Sequence, residues 1–249
     1  EIREESLSRT LDGASTRLVN DLAATAHGML HLPASDLVEL HKGQPTRQSS
    51  NVAVIAAGTG LGEAGLISVD GGWGAVPSEG GHCDFAPRGP EQMALLQFLE
   101  REFGHVSYER ALSGPGLHNV YRFLLEFLPE PEPAWLKQRM ASGDASAVVS
   151  TVALAGEDQR CMHTLKLFTE IYGAEAANLA LKFLPFGGLY IGGGIAPKIL
   201  PFLRKGDFMR AFLSKGRLNA VLERVPVRVS LNEETALLGA AHMALSIKQ

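Results

Sequence analysis

The chain has only two cysteines, Cys83 and Cys161, among its 249 residues. That is too few for a disulfide framework, and no CxxC pair offers a zinc site. A reducing compartment, the cytoplasm, is therefore the expected location. No block of lysine and arginine stands out, and the formal net charge is -4. Nucleic-acid and membrane-surface binding both need concentrated positive charge, so neither is expected. No apolar run reaches the roughly 18 residues of a spanning helix. No secretory signal, internal repeat or low-complexity tract is found. What is present is ordinary for a globular protein: 45% apolar and 20% charged residues. The length suffices for one large domain or two modest ones.

Periodicity and punctuation give a coarse outline. Residues 4 to 11 read as a short helix and Thr16–Val19 as a short strand. Asn20-Asp21 opens a helix, "DLAATAHGML", stopped by Pro33, and residues 34 to 50 read as a polar loop. Three extended runs follow, "NVAVIAA", "EAGLISV" and "WGAVPS", the last two joined by Asp70-Gly71-Gly72, a hairpin signal. The rest is mostly helical: "EQMALLQFLEREFG" to Gly104, "SYERAL" capped by Ser107, "LHNVYRFLLEFL", and a long stretch over 145 to 183. "GGLYIGGGIAPKIL" reads as a buried strand, a glycine turn and a helix start. "VPVRVSL" is a further strand and "EETALLGAAHMALSI" a closing helix. Hairpin strands followed by strands between long helices predict a mixed α/β sheet.

The glycines at 58 to 65 admit two chemistries. Gly60-x-Gly62-x-x-Gly65 has the spacing of a dinucleotide turn, but that turn needs a helix directly after it. Here Leu66, Ile67 and Val69 continue an extended run into a tight turn. The alternative, Gly58-Thr59-Gly60-Leu61-Gly62 between antiparallel strands, lets backbone amides approach an oxyanion.

Other candidates each have a bland reading. Asn20-Asp21 is a favoured helix cap, or a proton acceptor at the carboxyl end of a strand. Glu79-Gly80-Gly81-His82 is a polar turn, or a carboxylate and imidazole aimed at sugar hydroxyls. Glu109 is a solvated helix residue unless the neighbouring "LSGPG" draws it into a site. Gly192-Gly193-Gly194 is a routine strand-to-helix turn, or bare backbone against a nucleotide. His27, His31, His105 and His163 lack metal-ligand spacing and read as structural or surface residues.

In order along the chain, "VNDLAATAHG", "AAGTGLGEAGL", "SEGGHCDFAP", "VSYERALSGPGLHNVY" and "GGLYIGGGIAPKIL" resemble the bacterial glucokinases, in the hexokinase branch of the actin-like ATPase (ribonuclease H-like) fold. The resemblance covers essentially the whole chain. It implies ATP-dependent phosphorylation of glucose at its 6-hydroxyl, with Mg2+ carried on the phosphates. It makes Asp21 the base, and Asn20, Glu79, His82 and Glu109 the holders of the other hydroxyls. It places Gly58, Thr59, Gly60 and Gly62 at the phosphates and Gly192, Gly193 and Gly194 at the adenosine. A homodimer is implied as well. Cys83 stands alone after His82, so the cysteine-rich zinc motif of the related repressor–kinase family is missing, which favours the zinc-free group.

By the same resemblance residues 1–32 fall in a small lobe, 33–230 form the large lobe, and 231–249 return to the small one. No Asp-x-Gly-Gly-Thr phosphate turn is found near the start. The small lobe is therefore expected to be incomplete in this chain, and the chain by itself a poor catalyst or inactive. Two other readings stay open: a non-catalytic sugar-binding remnant or sensor that keeps Asn20, Glu79, His82 and Glu109, and a kinase for another hexose such as mannose or glucosamine.

Overall fold

The computed structural model describes residues 3–44, 50–69 and 72–246. Helices α1 (Glu4–Thr10) and α2 (Asp21–Met29) come first, then strands β1 (Leu37–His41), β2 (Val52–Ala57), β3 (Leu61–Val69) and β4 (Gly72–Ser78). Helices α3 (Gly89–Phe103), α4 (Gly114–Phe127), α5 (Ala134–Ala141), α6 (Ala145–Ala155) and α7 (Gln159–Phe183) lead to strand β5 (Gly188–Gly192). Three short helices, α8 (Leu200–Leu203), α9 (Asp207–Phe212) and α10 (Asn219–Leu222), precede strand β6 (Val227–Ser230) and helix α11 (Thr235–Ser246).

The strands form one mixed sheet in the order β1-β6-β5-β2-β3-β4. β6, β5 and β2 run parallel at its centre, while β1, β3 and β4 pair antiparallel. This accounts for the composition of each strand. β2 is apolar throughout because helices cover both of its faces. Its Ala53, Ile55 and Ala57 enter a large core, and Val52 and Val54 a smaller one on the opposite face. β4 is an edge, which is where Pro77 costs no ladder bond.

Helices α3 to α10 supply the large core, with Phe168, Tyr172, Phe208 and Phe212 fully buried in it. α2 covers the other face through Ala26 and Met29, against Val54, Leu66 and Tyr190. α11 lies directly on α2. A Cβ at Gly239 would stand 1.8 Å from the Ala24 carbonyl oxygen, and one at Gly28 1.9 Å from that of Thr235. Only glycine permits this approach.

Several expectations are corrected. Thr16–Val19 forms no strand and pairs with none of the six described strands; instead Glu4 takes up the segment. The Leu18 N–H donates to Glu4 Oε1 (2.6 Å) and the Thr16 hydroxyl to the Glu4 carbonyl (2.8 Å). Residues 37–41, expected within a loop, form edge strand β1 along β6. The long helical stretch is broken. Gly156, left-handed at φ 71°, closes α6, and the Asp158 side chain opens α7 by accepting from the Cys161 N–H. Asp70 and Gly71 of the expected hairpin turn lie outside the described residues, although Val69 and Gly72 pair across β3 and β4. Among the described residues no helix is long and apolar enough to cross a membrane.

Candidate active site

The glycine run after β2 turns back immediately. The Gly58 N–H donates to the Gly60 carbonyl (2.8 Å), and β3 begins at Leu61 and runs to Val69. No helix follows, so the dinucleotide reading fails on the feature it requires. The β2–β3 turn sits at the carboxyl end of a parallel strand, where α/β sheets gather their ligand sites. Beside it, at the carboxyl end of β5, Gly193 adopts φ +79°. A Cβ there would stand 2.3 Å from the Ala57 carbonyl, and the Ile195 N–H donates to that same oxygen (3.3 Å). The two glycine turns are thus locked side by side.

The sugar-site candidates arrive from three other directions. Asn20 caps α2, its side chain accepting from the Ala23 N–H (3.1 Å), which leaves Asp21 exposed on the first turn. One Asp21 oxygen accepts from the Leu22 N–H (2.8 Å). Glu79 precedes and His82 ends a short 3-10 turn after β4. Glu109 lies on another after α3, and two backbone bonds join these segments, Phe85 N–H to the Val106 carbonyl and Tyr108 N–H to the Cys83 carbonyl. His82 Nδ1 consequently stands 4.0 Å from Glu109 Oε1. The second Glu109 oxygen accepts from the Leu61 N–H (2.9 Å), tying the carboxylate to the glycine turn.

All twelve predicted site residues meet in one cleft of about 660 Å³. They are Asn20, Asp21, Glu79, His82 and Glu109 with Gly58, Thr59, Gly60, Gly62, Gly192, Gly193 and Gly194. Ser78, Asn232, Glu233 and Thr235 line it too and were not foreseen. The last three belong to "NEET", where β6 gives way to α11, a polar run at a strand end that was a usable signal. A second cavity of about 1070 Å³ shares Gly58, Thr59 and Gly194 and extends between Gly114, Ser146 and Lys198. It is held open from three segments: the Gly114 N–H donates to the Gly58 carbonyl (2.7 Å), and the Ser146 hydroxyl to the Gly114 carbonyl (2.5 Å).

The family model for glucokinase matches residues 1–247 of this chain. A glucokinase from Synechocystis sp. is 42% identical over 251 residues, covering 95% of this chain and 70% of that protein. The chain belongs to the glucokinase family. Its enzymatic class is accordingly that of the ATP-dependent hexose kinases, transferases of carbohydrate metabolism. A crystal structure of a glucokinase from an Antarctic psychrotroph superposes with a TM-score of 0.85 at 31% identity, over 97% of this chain and 72% of that one. A ROK-family glucokinase from Streptomyces griseus, solved with glucose and AMPPNP, shares the fold at a TM-score of 0.63 and 23% identity, over 97% and 72% of the two chains. The glucokinase family's actin-like ATPase fold is the one described above.

Four other histidines have structural partners. His105 Nε2 lies 2.8 Å from Asp84, His163 Nε2 2.8 Å from Glu91, and His31 stacks on His242. Among the described residues no three His, Cys, Asp or Glu side chains are grouped as ligands for an ion.

Proposed function

We propose that this chain transfers the terminal phosphoryl group of ATP to the 6-hydroxyl of glucose, with Asp21 as the base. The supporting observation is that an exposed carboxylate shares one cleft with paired sugar-type donors and acceptors and with a bare glycine turn. Glucose is neutral and rich in hydroxyls, so its recognition calls for matched hydrogen-bonding groups in place of opposite charge. Asn20, Glu79, His82 and Glu109 supply such groups. A sugar lacking one hydroxyl would leave a buried partner unpaired, which penalises it strongly.

The nucleotide's place fits the backbone. Gly58 and Gly194 have open space where a Cβ would stand, so both present bare main chain to the two cavities. The turn at 58–62 would hold the phosphates through its amides, and the second cavity, with Gly114, Ser146 and Lys198, would take the adenosine half. Magnesium bound through the phosphates would neutralise charge on the transferred group. The chain's own contribution is to orient the sugar hydroxyl in line and to accept its proton at the free oxygen of Asp21. Residues 1–32 with α11 would act as one lobe and residues 33–230 as the other, closing over the cleft to exclude water. Free thiols at Cys83 and Cys161 suit a cytoplasmic setting.

The test is Asp21→Asn, which keeps shape and the local N–H acceptor but removes the base. Formation of glucose 6-phosphate should fall by about 10²–10⁴-fold while calorimetric glucose binding stays. Undiminished turnover would refute the assignment. Sugar binding without turnover in the unmodified chain would favour the non-catalytic module.

A further inference from the structure

Beneath the sugar-site loops lies a pair of acids that the proposed chemistry does not use. Glu63 on β3 is 0% exposed and Glu175 on α7 is 1% exposed. Both Glu63 oxygens and Glu175 Oε1 are buried without a hydrogen-bond donor among the described residues. An isolated pair of carboxylates in such a place would be costly, and one proton shared between them removes the conflict.

The pair touches both sugar-site loops. Gly80, next to Glu79, rests on Glu63: a Cβ at Gly80 would stand 2.1 Å from Glu63 Oε2. Tyr108, next to Glu109, joins Glu175 through Asn178, whose amide donates to the Tyr108 hydroxyl (3.0 Å) and to Glu175 Oε2 (2.7 Å). The charged and titratable groups facing the pair are few. Lys182 Nζ is 4.0 Å from Glu175 Oε1, and Lys215 reaches the network through Asn178 Oδ1, with Arg88 beyond it. Tyr172 faces Glu63 and Tyr108 faces Glu175. Among the described residues Asn178 and Lys182 contact Glu175 directly, while Lys182 acts on Glu63 only from beyond contact. Burial raises both acids, and the contacts with Asn178 and Lys182 pull Glu175 back down, which favours the negative charge on Glu175 and the proton on Glu63.

We infer that Glu63 and Glu175 act as a proton-sharing positioning pair that sets Glu79 and Glu109 at the spacing glucose requires. This rests on the reading that Glu79 and Glu109 hold the sugar. Losing the shared proton places two like charges in one dry site and drives Glu63 against Gly80, which has no room to yield. Burial, then Glu175, pushes Glu63 up to about 8, so the device lets go just above neutral pH.

The experiment is calorimetric glucose binding from pH 6.5 to 9.5 for the unmodified chain, Glu63→Gln and Glu175→Gln. A glutamine at 63 cannot ionise and offers an N–H to Glu175 in place of the proton. The unmodified chain should lose glucose affinity by about five-fold across the range, at the low end of coupling between linked sites. Both glutamine variants should flatten that loss. An unchanged alkaline loss in Glu63→Gln would overturn the inference. Thermal unfolding in the same buffers gives a second reading. Stability of the unmodified chain relative to Glu63→Gln should fall as pH rises from about 4.5 to about 8, because the folded acid holds a proton that the unfolded one releases. A pH-independent difference would also overturn it. Glu79→Gln, run alongside, separates the two ideas: if it leaves glucose binding intact, the sugar-site reading has failed, while the unfolding comparison still decides whether the proton is shared.

Discussion

The two faces of the sheet are built to different depths. On one, α7 lies against β2 and β3 with its buried side chains inside a core that α3 to α6 and α8 to α10 complete. On the other, a nine-residue helix and its partner α11 close over a small cluster around Met29, Val54 and Leu66. Glu109 and the glycine turn are anchored to the deep side, through Ser113, Tyr108 and Leu61. Asp21 is carried by the thin side. The cleft lies along the boundary, so the proposed base, with Asn20 beside it, and the proposed sugar contact Glu109 belong to separately supported layers.

Substitutions on the two sides should therefore fail differently. The largest effect is that of Asp21→Asn, a loss of about 10²–10⁴ in turnover with stability within about 0.5 kcal/mol, since the residue is exposed. Next is Phe168→Ala in the deep core, expected to cost about 3–5 kcal/mol in chemical denaturation while the folded fraction keeps its kcat. Met29→Ala on the thin side should cost nearer 2 kcal/mol, because the site borders an open cleft into which neighbours can relax. It should nevertheless lower kcat, as Met29 packs both α2 and Gly192. If Phe168→Ala cripples kcat in the folded protein and Met29→Ala does not, the two layers are not independent.

Gly239→Ala sharpens the same contrast. Its methyl would meet the Ala24 carbonyl, which is main chain and cannot swing aside. Prising α11 from α2 should cost about 1–3 kcal/mol. It should also displace Thr235 and Asp21 from the cleft, so turnover falls more than the stability loss alone would explain. A variant with normal kinetics would show that the helix pair does not set the base.

How far this was legible depended on whether a feature announced itself locally. The Asn20 cap, the β2–β3 glycine turn and the Glu79–His82 turn each carry a short-range signal, whereas their common cleft was implied only by the resemblance to the glucokinases. β1 did not, because an edge strand half open to solvent and containing Glu39 and His41 has no apolar alternation to read. Thr16–Val19 misled in the opposite sense: local β propensity finds no partner there. The short helices α8 to α10 are held by tertiary packing and fall below what periodicity detects. Least legible was the Glu63–Glu175 pair. Glu63 reads as an ordinary strand carboxylate until α7, over a hundred residues later, seals it from water.

The smallest expected effect concerns the thin side in mild acid. His27 and His31 lie on α2, and His31 stacks on His242 of α11 with ring centroids 3.5 Å apart and 6° between planes. Burial first and a neighbouring histidine second hold both His27 and His31 below the ordinary histidine value of 6.5. The unfolded chain therefore binds protons more readily, and stability drains as pH falls through about 6.5. His31 is exposed, so solvent screening keeps the loss under about 1 kcal/mol. It should appear as hydrogen exchange accelerating in α2 and α11 between pH 7 and 5.5, with α7 unaffected. His242→Gln removes the ring stacked on His31 and should slow that acceleration. Equal acceleration in α7 would mean that acid loosens the whole sheet, and the two faces would then be one cooperative unit.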